Sequence, residues 1–147
     1  MAAYTTIDNP ELYFQVKLYT GNGGTQAITL DGDEDMSPDF VWTKLRSTGT
    51  YPHVLTDSVR GATKNLYGNL TDGEDASSNY LTSFDSNGFS VGSYAGVNLN
   101  SNTLVAWCWK ADNSSGSSNS DGSVTSTVAA NTTLGFSIAR FTGSGSN

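Results

Sequence analysis

Asn102-Thr-Leu-Val-Ala-Trp-Cys-Trp-Lys110 is the densest run of β-branched and aromatic residues in the chain, and it predicts a central strand. Strand side chains alternate between two faces, so Leu104, Ala106 and Cys108 fall on one side and Val105, Trp107 and Trp109 on the other. Both sets are apolar. A strand that is apolar on both faces must be covered on both, as in a β-sandwich or a sheet packed under long loops.

The composition around this run agrees. Among 147 residues there are 16 glycines and abundant Ser, Thr and Asn, which compete with helical hydrogen bonding and favour strands and turns. The expected fold is all-β: an antiparallel β-sandwich of jelly-roll type with at most one or two short helical turns. Residues 1–12 are expected as an N-terminal arm, 13–141 as the sandwich domain, and 142–147 as a C-terminal tail. With 14 acidic against 7 basic residues the formal charge is −7, which repels a phosphate backbone and argues against a nucleic-acid partner. Cys108 is the sole cysteine and lies inside the apolar run, so it reads as an inert buried thiol and leaves a zinc or redox centre without ligands. No cofactor is expected. Met1-Ala-Ala-Tyr-Thr-Thr has no cationic stretch leading into an apolar one, and nowhere do about 18 apolar residues follow each other, so neither signal-peptide secretion nor a membrane partner is expected.

Working outward toward the N-terminus, Phe14-Gln-Val-Lys-Leu-Tyr-Thr20 alternates, which predicts a half-buried strand with Phe14, Val16 and Leu18 inside and Gln15 and Lys17 outside. Gly21-Asn-Gly-Gly24 predicts a tight reversal, with Thr25–Leu30 returning as the hairpin mate. Pro38–Leu45 predicts a strand carrying Phe40, Trp42 and Lys44 on one face. Tyr51–Thr56 reads as a short strand, Ser58–Tyr67 as a segment with one helical turn, and Asp72–Asn79 as a loop. Tyr80–Phe84 and Phe89–Val91 flank Asn87-Gly88, the strongest short-range hairpin signal because both residues accept left-handed angles. Beyond the central run, residues 112–122 are nearly all Ser, Asn, Asp and Gly and predict an exposed loop; strands follow at Ser123–Val128 and Gly135–Phe141. Phe136-Ser-Ile-Ala-Arg-Phe-Thr-Gly-Ser-Gly echoes Phe14-Gln-Val-Lys-Leu-Tyr-Thr-Gly-Asn-Gly, as expected if residues 142–147 open a further module.

Chemistry is sparse. Gly88-Phe-Ser-Val-Gly92 has the spelling of a nucleophile elbow, but an elbow needs a helix after the serine and a later histidine, whereas His53, the only histidine, precedes Ser90. Asp31, Asp33 and Asp35 begin like a calcium loop, yet Met36 and Trp42 stand where glycine and a bidentate glutamate belong. Looser calcium binding competes there with a solvated acidic turn. Tyr51, Tyr67 and Tyr94 are candidates for stacking on sugar rings; the tryptophans read as core. In the arm, Tyr4, Ile7, Pro10 and Leu12 are the candidates for docking onto a neighbouring subunit by strand addition.

Pro38-Asp-Phe-Val-Trp-Thr-Lys, Asp57-Ser-Val-Arg-Gly-Ala-Thr-Lys64, Leu81-Thr-Ser-Phe-Asp-Ser-Asn-Gly-Phe-Ser-Val-Gly92 and Thr103-Leu-Val-Ala-Trp-Cys-Trp-Lys-Ala111 together resemble a family of modules in virion proteins of tailed, particularly marine, phages. The resemblance runs in order from about residue 14 to the end. It implies a concanavalin-like lectin sandwich in a tail fibre or appendage and carries no catalytic residues. The implied role is that of a non-enzymatic structural protein on the virion exterior, acting in host attachment. Its partners would be other tail or capsid proteins and copies of itself in a homo-oligomer. Capsid decoration, as head fibre or cement, and binding of host surface glycans are the alternatives. Asp31–Ser37 is more acidic than the short glycine turn that the resemblance leads one to expect before Pro38.

Overall fold

The computed structural model describes residues 7–112 and 114–145. Its strands are β1 (Phe14–Thr20), β2 (Gln26–Thr29), β3 (Phe40–Leu45), β4 (Val54–Asp57), β5 (Lys64–Tyr67), β6 (Asp75–Ala76), β7 (Leu81–Asp85), β8 (Gly88–Val91), β9 (Thr103–Trp109), β10 (Ser117–Asn119), β11 (Ser126–Asn131) and β12 (Phe136–Phe141). A 3-10 turn at Pro10–Leu12 and a single helical turn, α1 (Ala95–Asn98), complete the elements. The fold is an all-β antiparallel sandwich. A six-stranded sheet, β1-β9-β3-β4-β5-β6, packs one face on the three-stranded sheet β2-β8-β7. A third sheet, β10-β11-β12, covers part of the opposite face.

The 102–110 run is β9, held between β1 and β3 with Trp107 level with both Val16 and Trp42. Leu104, Ala106 and Cys108 are completely buried and meet Val41, Leu45 and Val54 of the same sheet and Ile28, Leu81, Phe89 and Val91 of the small sheet. Burying each of these larger side chains contributes about 1.5–3 kcal/mol, which is what binds the two sheets. The other face of β9 is covered unevenly. Val105 is buried, whereas Trp107 and Trp109 are half-buried, with Phe136 of β12 stacked on Trp109 at 6.2 Å.

Two expectations are corrected and a third is extended. In β1 the faces are reversed: Gln15 and Tyr19 are buried, while Val16 and Leu18 are 44% and 57% exposed. Gln15 tolerates the interior because its amide donates to the carbonyls of Glu11 and Glu34 and accepts from Gly32 N, which satisfies both ends of a buried polar group. Nor is β2 the hairpin mate of β1; it pairs with β8 in the other sheet. The glycine stretch is therefore a crossover between sheets. Asn98, fully buried, accepts from Asn22 N and donates to the Gly24 and Gly92 carbonyls, pinning that crossover to α1. Finally, residues 58–67 hold a single turn, closed by Gly61 N to the Asp57 carbonyl at 3.0 Å, and then enter strand β5.

The β7–β8 hairpin forms where Asn87-Gly88 predicts it. Gly88 has φ +123°, and a Cβ there would collide with the Ile28 carbonyl oxygen, so glycine alone fits. The polar segment 112–122 is largely exposed but contributes β10 to the third sheet, and the strand expected at 123–128 lies at Ser126–Asn131. That sheet is tied down by Asn131 Nδ2 on the Ala111 carbonyl (2.9 Å) and Ser58 Oγ on the Ser114 carbonyl (3.1 Å). The echoed strands β1 and β12 do not occupy equivalent places: β1 borders the large sheet and β12 the third.

Candidate functional site

Tyr51, Tyr67 and Tyr94 lie far apart in sequence, yet the fold gathers them at one end of the sandwich around the buried Tyr80. Tyr51 precedes β4, Tyr67 closes β5, Tyr80 leads into β7, and Tyr94 caps the start of α1. The rings of Tyr80 and Tyr94 are 4.1 Å apart at 31°, and Tyr51 meets Tyr94 edge-on at 6.3 Å. Gly96 makes the arrangement possible, because a Cβ there would collide with the Tyr94 ring. Tyr94 N donates to the Asn79 carbonyl at 2.8 Å, fixing the loop that brings the ring in.

A hydrogen-bond chain crosses the cluster. Tyr67 Oη donates to Asp75 Oδ2 at 3.0 Å and lies 2.8 Å from Tyr80 Oη. Since a phenol has one proton, and that of Tyr67 goes to Asp75, Tyr80 is the donor to Tyr67. Burial raises both phenol pKa values, with the Tyr67 contact and the nearby Asp75 adding to the rise at Tyr80, so both stay neutral hydrogen-bonding groups across the physiological range. The cluster therefore presents half-buried rings beside a carboxylate. Apolar ring faces and fixed acceptors are what a sugar's C–H face and hydroxyls engage.

Nothing in this cluster pairs a nucleophile with a base. Ser90 Oγ donates to Asp85 Oδ2 at 2.8 Å on the small sheet, while His53 lies tilted beside Trp42, 5.9 Å between ring centres, on the outward face of the large sheet. The sandwich separates them. Cys108 is enclosed by the core, and burial pushes its thiol up to about 12.

The acidic loop is held by contacts within the fold rather than shaped around an ion. Asp31 pairs with Lys17 at 3.0 Å, Asp33 N donates to Glu11 Oε2 at 2.7 Å, and Asp35 accepts from Asn87 Nδ2 at 2.7 Å. Among the described residues no three acidic, histidine or cysteine side chains are grouped so as to hold a metal ion, so Asp31, Asp33 and Asp35 do not converge. Of the docking candidates, Tyr4 lies outside the described residues. Ile7 is half-buried, Pro10 and Leu12 are exposed, and the segment folds as a 3-10 turn capped by Asn9 instead of running extended to residue 12. Proline at the first position of that turn is the local cause, since its fixed φ suits a helical start and its missing N–H goes unneeded.

The profile of a family described as a domain of unknown function, DUF7483, matches residues 9–147. The chain belongs to the DUF7483 family. The DUF7483 match takes in every strand of the sandwich and all four clustered tyrosines with Asp75. Comparison with curated proteins and with solved structures gives no match. Sequence reading does not reveal Asp75 as the tyrosines' partner; an acid eight residues after Tyr67 acquires meaning only once β5 and β6 pair.

Proposed function

We propose that this DUF7483 domain is a non-enzymatic structural module on the exterior of a tailed-phage virion, part of a tail fibre or related appendage in several copies. The resemblance of its four sequence runs to phage appendage modules supports this reading. So does one structural observation: the outward face of the large sheet leaves Val16 and Leu18 open to water beside half-buried Trp107 and Trp42. Surface of this apolar character on a rigid sheet suits attachment to a neighbouring protein. Gold labelling of a tagged copy in purified particles tests the proposal. Label on tail appendages is expected; label on the head shell would transfer the role to capsid decoration, and particles free of label would end the virion reading. Removing residues 1–8, which spares the Pro10 turn, is expected to lower particle occupancy if the arm docks.

A second reading, binding of host surface glycans, is favoured by the convergence of Tyr51, Tyr67 and Tyr94. On a glycan array, retained carbohydrates should be lost by Tyr51→Ala and Tyr94→Ala, and a blank array would remove this reading.

A further inference from the structure

β12 is an edge strand of a kind that the rest of the fold does not leave open. Among the described residues it pairs with β11 alone, so every second residue turns an N–H and a C=O away from its partner. Other borders are short or crossed. β6 has two residues, β10 three and β2 four; in β7 the Leu81 carbonyl is taken by Thr63 N, and β1 carries Lys17, paired with Asp31 of the neighbouring loop. β12 has six residues, no proline, and a single charge, Arg140. Edges lacking such guards readily accept a further strand.

A groove of about 370 Å³ runs beside it. Ile138, Ala139, Arg140 and Phe141 all line this groove, and consecutive strand residues point to opposite faces. A groove that touches all four therefore follows the backbone edge and not one face. Leu66 stands in the far wall, 36% exposed, and Phe141, 67% exposed, flanks the near one, giving apolar seats for alternate side chains of an extended segment.

The charge here differs from that of the molecule as a whole, because one base of the lining is left over. In a chain of net charge −7, the groove's lining is balanced, with Arg60 and Arg140 against Asp57 and Glu74, and Lys64 lies just outside it beside Glu74. Arg60 is committed to Asp57 and the Leu55 carbonyl, with Glu74 3.6 Å from its Nη1, and Lys64 lies 3.7 Å from the same Glu74. Arg140 makes no ion pair among the described residues. Edge-to-edge pairing of two copies would bring one Arg140-bearing edge against another, which disfavours a second copy as occupant.

We propose that β12 receives an extended acidic segment of a partner protein, which adds to the third sheet as a fourth strand with a carboxylate at Arg140 and apolar side chains against Leu66 and Phe141. Main-chain hydrogen bonds supply the affinity and the groove supplies selectivity. The inference holds whether or not the domain sits on a virion, and it is tested on the isolated full chain. The probe is a fluorescent peptide alternating valine and aspartate, followed by anisotropy, beside one with lysine for aspartate and one with alternate backbone nitrogens methylated. Saturable binding of the acidic peptide alone is expected, weakened about tenfold or more by Arg140→Glu and less by Arg140→Gln, both at an exposed position. Absence of saturable binding, binding that survives backbone methylation, or binding unchanged in both variants would overturn the proposal. Sedimentation showing copies associated through β12 would replace the acidic partner by a second copy and overturn it too.

Discussion

The two faces of the large sheet share their strands and differ in almost everything else. Toward the small sheet, Val41, Leu45, Val54, Leu104, Ala106 and Cys108 are at most 1% exposed; of the polar groups among them, Thr56 Oγ1 donates to Asn65 Oδ1 at 2.7 Å, while the Thr43 hydroxyl finds no partner among the described residues. Toward the outside, Phe14, Trp42, Trp107 and Trp109 are half-buried, Leu18 is open, and Trp42 Nε1 finds no acceptor among the described residues. One face is closed by shape; the other is aromatic surface only partly roofed by Phe136 and Ile138. Stability therefore resides on the inner side, and the outer side is free to be used for contact.

The sharpest way to break this contrast is Phe89→Ala. Phe89 is wholly buried with its ring edge-on to Tyr19 at 6.3 Å, and its truncation should cost about 3–5 kcal/mol in urea unfolding. A loss under about 1 kcal/mol would mean that the inner face is not the closed one. Next comes Asn98→Ala, expected to lower stability by about 2 kcal/mol because the Gly24 and Gly92 carbonyls and Asn22 N lose their partner where the chain changes sheets. Thermal unfolding followed by circular dichroism reads it. On the outer face, Leu18→Ser should stay within about 0.5 kcal/mol; a loss near that of Phe89→Ala would show that the exposed face is closed in solution.

The smallest effect is the pH dependence of His53. Partial burial, then Lys44, lowers its pKa below the ordinary 6.5. A depressed folded value means that the contribution is fully present above 6.5 and is lost as pH falls from there through the folded pKa, because the unfolded chain takes the proton first. Tm should fall slightly between about pH 7.5 and 5.5, and His53→Gln, which removes the only histidine, should flatten that step.

Local signals in the sequence were enough for β9, for the outward Phe40, Trp42 and Lys44 of β3, and for the β7–β8 hairpin, since alternation and an Asn-Gly turn act over a few residues. They misled where distant partners decide. Gln15 looks like a surface residue until the carbonyls of Glu11 and Glu34 are brought to its amide, and Gly21–Gly24 reads the same whether the chain reverses beside itself or crosses to another sheet. The tyrosines were recognisable as a residue type suited to stacking, but their meeting around Tyr80 depends on four separate segments. Exposed Val16 and Leu18 were hidden for the same reason: period-2 alternation defines two faces without saying which one the rest of the chain will cover.

Cys108 gives the core between the two sheets a built-in clock. It is the only thiol in the chain, it has no exposed surface, and burial disfavours its reactive thiolate. An alkylating reagent in water can reach it only in the moments when the small sheet lifts from the large one or β9 leaves its neighbours. Its labelling rate thus records how often the core between the sheets opens, undisturbed by motions of the loops and edges.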